Sequence, residues 1–363
     1  MKHIFTLLTA LLLAPAAALP AAESRKLFQD TAFAQGFGAA WSYGAKFTGE
    51  RKEGRLLAYR DIAPFQVHLI PEGPVKPGDV RVHPWDLEEG LHRDFVDSTG
   101  RRVAELHEHR FAANHVIETN TPGRLQFAQF NNYRLTAGDP RRNQRLVKRV
   151  STDRQGTIRL YYNSSNEVRN AATAYAAQFA NDTWPHLLLV QQFPDAPKLE
   201  TFERLDFALG FRVLRQAQVS DWPAALPGAT RPDMNLQCFF LLREVRQPDR
   251  MLWIGMLLHA SDPGNYFVHT ALEQWGTVFH REPVTLSGPA PGLNESRTVS
   301  CELKALTRRA LAAAVRKHPD KKLSSSADDY YLSLFNVGWE GIGHWETEAE
   351  LSGLSLKGHS KTP

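Results

Sequence analysis

The sequence predicts an all-β fold, a sandwich or a barrel, with one short helix near the C-terminus. Several runs alternate apolar and polar residues with a period of two, which is typical of strands that bury one face. Gly, Pro, Asn and Asp residues separate these runs, as they do in proteins built from many short strands. Only residues 304–318 show the helical spacing of apolar residues. These three observations favour one β-rich body.

The first 22 residues have the pattern of a secretory signal peptide. A basic start at Lys2 precedes the apolar run 4–13, and small residues fill most of 16–22. The apolar run is too short to cross a bilayer, which needs about 20 residues, and Pro15 and Pro20 argue against a buried helix. We therefore expect a secreted or periplasmic protein with no membrane insertion after signal cleavage.

Composition and charge narrow the range of partners. Apolar residues make up 42% of the chain and charged residues 23%, as in soluble globular proteins. The net charge of +4 comes from 43 basic and 39 acidic residues spread along the chain. No basic cluster has the form of a nucleic-acid footprint, so nucleic acid is not an expected partner.

The sequence contains few candidate ligands for a metal and no motif that binds a cofactor, and we expect neither group. Its two cysteines, Cys238 and Cys301, cannot form a structural zinc site by themselves. A disulfide between them and two buried free thiols both remain open, because each lies in an apolar, strand-like run. The His-x-His at 107–109, with His115 nearby, could bind a metal, but nothing else in the segment completes a metal-binding signature and its charged neighbours favour a solvated hairpin. No Gly-rich phosphate loop or Gly-x-Ser-x-Gly elbow is present.

Residues 23–357 are expected to form a single β-sandwich domain, with an N-terminal β-rich elaboration that reaches to about residue 150. Residues 358–363 are expected to be a tail. Within the domain, the run 204–213 places Leu and Phe on one face and Asp206 and Arg212 on the other.

Two further runs predict strands near the middle of a sheet. Residues 235–242 are mostly apolar, with Asn235 and Gln237 as a polar pair on one face. Residues 251–259 are almost continuously apolar, which is typical of a central strand that is covered on both sides. The run 187–190 behind His186 has the same character.

The predicted helix at 304–318 ends where Pro319 stops it. Strands are predicted again at 330–340 and 345–356. In the last of these, Glu residues alternate with apolar residues, which indicates a solvated outer face.

This succession resembles a known superfamily over roughly residues 150–357. Alternating strands, a helix after Cys301-Glu302-Leu303, and closing strands at 335–340 and 346–356 resemble the concanavalin-A-like lectin/glucanase jelly roll. The resemblance implies an all-β jelly-roll β-sandwich with one short helix near the C-terminus. That superfamily holds lectins, carbohydrate-binding modules, glycoside hydrolases and polysaccharide lyases, so the resemblance implies the fold better than the function.

A local motif resembles one branch of that superfamily. The segment Ser165-Asn166-Glu167-Val168-Arg169 is similar to the Arg-Thr-Glu-Leu-Arg strand of jelly-roll alginate lyases. Glu167 and Arg169 fall on the family's Glu and second Arg, and Ser165 departs from its first Arg. The family's Gln-Ile-His element and its Tyr-bearing strand have no match in this sequence.

Sugar chains are bound by aromatic rings and by planar polar side chains, and alternate residues of a sheet can present both on one face. Hydrolysis needs two carboxyl groups, whereas β-elimination needs a His or Tyr base, such as His186 or Tyr162, beside Arg or Gln. Gly338 and Gly341 around Glu340 suggest that a ligand approaches closely there. The predicted catalytic residues are Glu167, Glu340 and His186, and the predicted substrate-binding residues are Arg169, Gln192, Asp206, Arg212, Gln237, Trp253 and Asn336.

The sequence therefore predicts an exported carbohydrate-active protein that cleaves a polysaccharide, by hydrolysis or as a lyase, in a groove of a jelly-roll sheet. The alternative is a non-catalytic glycan-binding or surface protein of the same fold. In both cases the expected partner is a polysaccharide or oligosaccharide.

Overall fold

A computed structural model describes most of the C-terminal half of the chain and parts of the N-terminal half. The residues described are 24–31, 37–42, 66–68, 85–90, 115–121, 124–131, 145–153, 155–167, 186–193, 195–219, 232–272, 277–283 and 291–361. The predicted signal peptide, Arg169 and the His-x-His at 107–109 lie outside these residues.

Strands dominate the described residues. In chain order they are β1 (Ser24–Lys26), β2 (Phe37–Ser42), β3 (Gln66–His68), β4 (Trp85–Gly90), β5 (His115–Thr121), β6 (Arg124–Asn131), β7 (Arg145–Thr152), β8 (Ile158–Asn163), β9 (His186–Gln192), β10 (Phe202–Gln218), β11 (Asp233–Glu244), β12 (Met251–Ala260), β13 (His269–Leu272), β14 (Val278–Pro283), β15 (Ser296–Glu302), β16 (Tyr330–Ile342) and β17 (Trp345–Ser360). Helix α1 (Leu303–Lys317) is the long helix of the described residues, and Ser164–Glu167 forms a single helical turn.

The strands form two sheets. Sheet A has the order β15-β10-β17-β8-β7-β6-β5, with β1 paired to β17. Sheet B has the order β13-β14-β12-β11-β16-β9-β4-β2-β3. Neighbouring strands are antiparallel except for the pairs β12–β14 and β2–β4, which are parallel. The predicted fold class, a jelly-roll β-sandwich with one short helix near the C-terminus, is confirmed.

The hydrophobic core lies between the two sheets. Alternation in β10 turns Leu205, Phe207, Leu209, Phe211 and Val213 inward, as their spacing in the sequence predicts, and each is almost fully buried. The even-numbered residues of β11, from Met234 to Leu242, meet them from sheet B in the same apolar cluster. Each sheet therefore has one inner face in the core and one face that is turned away from the other sheet.

Helix α1 begins where the sequence predicts it. Glu302 caps its first turn, since its carboxylate accepts hydrogen bonds from the backbone N–H groups of Lys304 (2.9 Å) and Ala305 (2.7 Å). The helix buries one apolar side against the sandwich and ends just before His318 and Pro319.

The structure differs from the expectation at the C-terminal tail, and it decides the state of the two cysteines, which the sequence left open. Strand β17 continues past Lys357 to Ser360, because Gly358 and His359 pair with β10 on one side and β1 on the other. The segment expected to be a free tail is therefore partly strand. Cys238 and Cys301 are free thiols in the structure, with Cys238 buried in the core.

Candidate functional site

The candidate site lies on the far face of sheet B, by which we mean the face that is turned away from sheet A. The odd-numbered residues of β11 point there because the even-numbered residues fill the core. Asn235 is paired with Glu340 and Gln237 with Gly338, so the register brings polar residues of β11 and β16 together. Asn235 and Gln237 are buried, and Glu340 is half-buried.

Three side chains form a hydrogen-bonded chain on this face. Arg281 on β14 donates from Nη1 to Oε1 of Gln237 at 3.0 Å. Gln237 donates from Nε2 to Oε2 of Glu340 at 2.7 Å. Arg281 reaches Gln237 across β12, where its neighbour in the register is Gly255.

Burial is the main influence on the charge state of Arg281. It lowers the pKa of the guanidinium, while the negative charges of Asp233 and Glu340 oppose that shift. Arginine keeps its proton at any ordinary pH even so, because its usual pKa is above 12. The site therefore contains one buried positive charge between two carboxylates.

Asp233 is the second carboxylate of the far face. It accepts hydrogen bonds from Asn235 Nδ2 (2.6 Å), Asn265 Nδ2 (2.6 Å) and Ser261 Oγ (2.8 Å). Its position is diagonal to Glu340, since Asn235 lies directly opposite Glu340. Diagonal neighbours in an antiparallel pair have backbone positions about 7–8 Å apart, so the two acidic residues occupy the same part of the far face.

Strand β9 adds a histidine to the edge of this cluster. His186 is directly opposite Glu340 in the register and is 5% exposed. Gln192 lies at the other end of β9, opposite Leu334, and is exposed. Asn336 on β16 shares the far face with them and is buried.

A row of aromatic side chains continues from the cluster towards the edge of sheet B. Ring centroids are 6.3 Å apart for Trp253 and Phe239, 5.1 Å for Phe239 and Phe279, and 6.1 Å for Phe279 and His269. Phe267 extends the row, with its ring 5.7 Å from that of His269 and 47% of its surface exposed. Phe239 is buried, so the rings that could pack against the C–H faces of sugars are the partly exposed ones of Trp253, Phe279 and Phe267.

Three buried polar atoms of the far face lack a hydrogen-bond partner among the residues that the structure describes. They are Arg281 Nε, Asn235 Oδ1 and Asn336 Oδ1, one donor and two acceptors. A buried polar group without a partner costs about 1–3 kcal/mol, so a ligand that satisfies these atoms gains affinity. Hydroxyl groups suit both kinds of atom because each hydroxyl donates and accepts.

The structure does not bring Asp206 and Arg212 to this cluster. Both belong to β10, so they lie on the outer face of sheet A, on the opposite side of the sandwich. Asp206 pairs with Arg204 at 2.7 Å and with His359 at 3.0 Å. Arg212 donates to Glu350 at 3.0 Å. The alternation of residues within one strand shows which of them share a face, but it does not show which sheet the strand joins. In the structure these two residues form ion pairs on the surface.

Glu167 is also placed differently from the expectation. The segment that resembles a lyase strand is a helical turn over Ser164–Glu167 instead. Asn163 starts this turn, because its Oδ1 accepts hydrogen bonds from the backbone N–H (3.1 Å) and the hydroxyl (2.6 Å) of Ser165. The strand expected at these residues is therefore wrong, and the catalytic role predicted for Glu167 stays a prediction.

The glycines on either side of Glu340 serve packing between strands. A Cβ at Gly338 would lie 2.1 Å from the carbonyl oxygen of Leu187, and one at Gly341 would lie 2.1 Å from that of Asp233. Both glycines thus allow neighbouring backbones to approach, and the expected approach of a ligand is not what requires them.

Two residues of the cluster were missed by the sequence reasoning. Asp233 continues the alternation of Asn235 and Gln237 by one step, so the same parity argument could have found it. Arg281 carries no such signal, because its strand is short and it reaches Gln237 only through the pairing of β14 with β12.

Among the described residues, no group of three His, Cys, Asp or Glu side chains is arranged to hold a metal ion. The same part of the chain contains no helix that is both long enough and apolar enough to span a membrane.

No protein-family model matches the chain, and no curated protein matches it. Solved structures similar to it include an endo-1,4-β-glucanase CelB2, at 12% identity and a TM-score of 0.34, covering 69% of this chain and 100% of that one. A family 12 xyloglucanase from Bacillus licheniformis has 9% identity and a TM-score of 0.34, covering 67% and 96%. A family 11 xylanase from Neocallimastix patriciarum has 10% identity and a TM-score of 0.31, covering 67% and 94%. At such scores these neighbours carry no argument about activity.

Proposed function

We propose that this protein is an exported carbohydrate-active protein that cleaves a polysaccharide on the far face of sheet B. The observation that carries the proposal is the placement of Asp233 and Glu340 on adjacent strands of one face, on which the aromatic row begins further along β11 at Phe239. Hydrolysis of a glycosidic bond requires two carboxyl groups that lie near each other, one on each side of the bond. The aromatic row supplies a surface for the sugar chain that carries this bond.

Each carboxyl group has a role that follows from its partners. Both oxygens of Asp233 accept hydrogen bonds, so this carboxylate suits the part of base or nucleophile. Glu340 suits the part of general acid: it gives a proton to the glycosidic oxygen as the bond from that oxygen to the anomeric carbon breaks. Asp233 either takes a proton from the attacking water or attacks the anomeric carbon itself. His186, Gln237 and Asn336 complete the polar surface for sugar hydroxyls.

Hydrolysis is favoured over β-elimination by the charges of the cluster. A lyase must neutralise the carboxylate of a uronate, and one guanidinium facing two carboxylates is poorly suited to that task. The second candidate is a glycan-binding protein without activity, which the aromatic row and the buried polar atoms would serve equally well.

The test is an assay panel of neutral and acidic polysaccharides with two readouts, new reducing ends for hydrolysis and absorbance at about 235 nm for the unsaturated product of a lyase. We expect reducing ends without that absorbance. Glu340→Gln and Asp233→Asn should each lower the rate by about 10²-fold or more.

Glu348→Gln is the matched control, since Glu348 lies on the outer face of sheet A and pairs with Arg159 at 3.6 Å. This variant should keep full activity. Binding without turnover would support the second candidate, and full activity of Glu340→Gln would remove that residue from the chemistry.

A further inference from the structure

We propose that Arg281 is a positioning residue that acts through Gln237 to orient Glu340 and to set the pH at which Glu340 releases its proton. The inference rests on the proposed function in assigning Glu340 the role of acid. The link between the three side chains stands on geometry alone, and it can be measured without any substrate.

The first step is the orientation of the Gln237 amide. A guanidinium only donates hydrogen bonds, so Arg281 Nη1 at 3.0 Å requires the amide oxygen Oε1 to face it. The amide nitrogen then faces the other way, towards Glu340 Oε2 at 2.7 Å. An ionised Glu340 only accepts hydrogen bonds and favours the same orientation, whereas a protonated Glu340 could also donate to the amide oxygen, so it is for the protonated state that Arg281 fixes which end of the amide faces Glu340.

The second step concerns the oxygens of Glu340. The Nε2 group of Gln237 donates to Oε2, so that oxygen acts as an acceptor. A proton carried by Glu340 is thereby directed to Oε1, the oxygen that the amide leaves to other partners. Arg281 thus decides, through one intervening side chain, which oxygen can present a proton to a ligand.

The third step is the balance of charge around Glu340. Among the described residues, Asp233 on β11 faces it with a like charge, His186 on β9 lies opposite it, and Arg281 on β14 supplies the positive charge. A like charge favours the protonated carboxyl and an opposite charge favours the ionised one. Loss of Arg281 leaves Asp233 as the dominant neighbour, so Glu340 should then hold its proton to a higher pH.

The burial of Arg281 supports a role beyond packing. The residue is 9% exposed, and its Nε atom has no partner among the described residues. Burying a guanidinium is unfavourable unless its donors are used, so a purely structural residue at this place would more simply be apolar.

The experiment is a titration of the glutamate carboxyl groups by ¹³C NMR in the full chain, with the Glu340 signal identified by its absence in Glu340→Gln. We expect Arg281→Met to raise the titration midpoint of Glu340 by about one pH unit, the usual size of the effect of an opposite charge nearby. Arg281→Lys should restore part of the shift, because it returns the charge without the same fork of donors.

Gln237→Leu is a second variant that breaks the chain of bonds and leaves the charge of Arg281 in place. It should raise the titration midpoint of Glu340 by less than Arg281→Met does. If a thermal melt shows that Arg281→Met does not fold, Gln237→Leu tests the inference in its place. Arg243→Met is the control, since Arg243 contacts Ser333 and Pro248 at the other end of β11.

An unchanged midpoint in folded Arg281→Met, or in Gln237→Leu if Arg281→Met does not fold, would overturn the inference. If a substrate is found, the alkaline limb of the rate profile should move to higher pH in the Arg281 variants. Activity that survives in Glu340→Gln would instead refute the proposed function, and the titration would still report on Arg281.

Discussion

Glu282 anchors helix α1 to the edge of sheet B, and replacing it with Gln tests how much that contact stabilises the fold. The residue is 6% exposed. Its carboxylate accepts two hydrogen bonds from Arg309, one from Nε at 3.0 Å and one from Nη2 at 2.8 Å. His280 Nε2 lies 3.4 Å from the same carboxylate, and Thr270 Oγ1 lies 2.8 Å from His280 Nδ1.

The magnitude follows from the ionisation of this carboxyl group. Burial raises its pKa, but the hydrogen bonds and charges of His280 and Arg309 outweigh burial and lower the pKa from 4.5 to about 2. Since each pKa unit corresponds to about 1.4 kcal/mol, the ionised Glu282 contributes up to about 3 kcal/mol to the free energy of unfolding. A depressed pKa gives a contribution that is present above about pH 4.5 and is lost as the pH falls towards about 2.

The assay is urea unfolding of the wild type and Glu282→Gln at several pH values between about 7 and 3. We expect the variant to be less stable by up to about 3 kcal/mol near pH 7 and the difference to shrink on acidification. Glu200→Gln is the control, because Glu200 is exposed and, within the described part of the chain, forms an ion pair with Lys198 alone, at 3.5 Å. A difference that stays constant with pH would refute the reasoning.

Two further predictions concern packing and thiol chemistry. Gly255→Ala should lower the free energy of unfolding by about 1–3 kcal/mol, because the added Cβ would lie 2.0 Å from the ring of Phe239. Gly292→Ala is the control: the nearest atom to its added Cβ is 3.8 Å away, so this variant should have little effect in the same urea unfolding measurement. Burial raises the pKa of Cys238 and raises that of Cys301 to about 12, so a thiol reagent at about pH 8 should modify neither until the protein is unfolded. Rapid modification of the folded protein, measured by mass spectrometry, would contradict this expectation.

Alternation within a strand was predictable because it is a local property. The run around Phe207 has a period of two, so its apolar face had to be buried somewhere, and the structure buries it in the core. The helix at 304–318 was equally readable, since its apolar spacing, its cap at Glu302 and the stop at Pro319 all lie within one stretch of sequence. The polar pair Asn235 and Gln237 was recognised for the same reason.

The composition of the candidate site was only partly predictable. Glu340, Gln237, Asn336, His186 and Trp253 share the far face of sheet B. A strand pattern says which residues share one face of that strand, but it says nothing about the sheet that the strand joins. Asp206 and Arg212 show this limit, since their strand pairs into sheet A.

The sequence by itself determined that this chain forms an all-β body with one short helix, and which residues of each strand face the same way. Both follow from neighbours in the chain, through the period of two in strands and of 3.6 in helices. Only the tertiary structure decided that Arg281 contacts Gln237, that Asp233 lies diagonal to Glu340 and that β10 faces away from both. Those contacts depend on the order and register of strands that are distant in sequence, where the pairing energy is shared by the whole sandwich and no short segment specifies it.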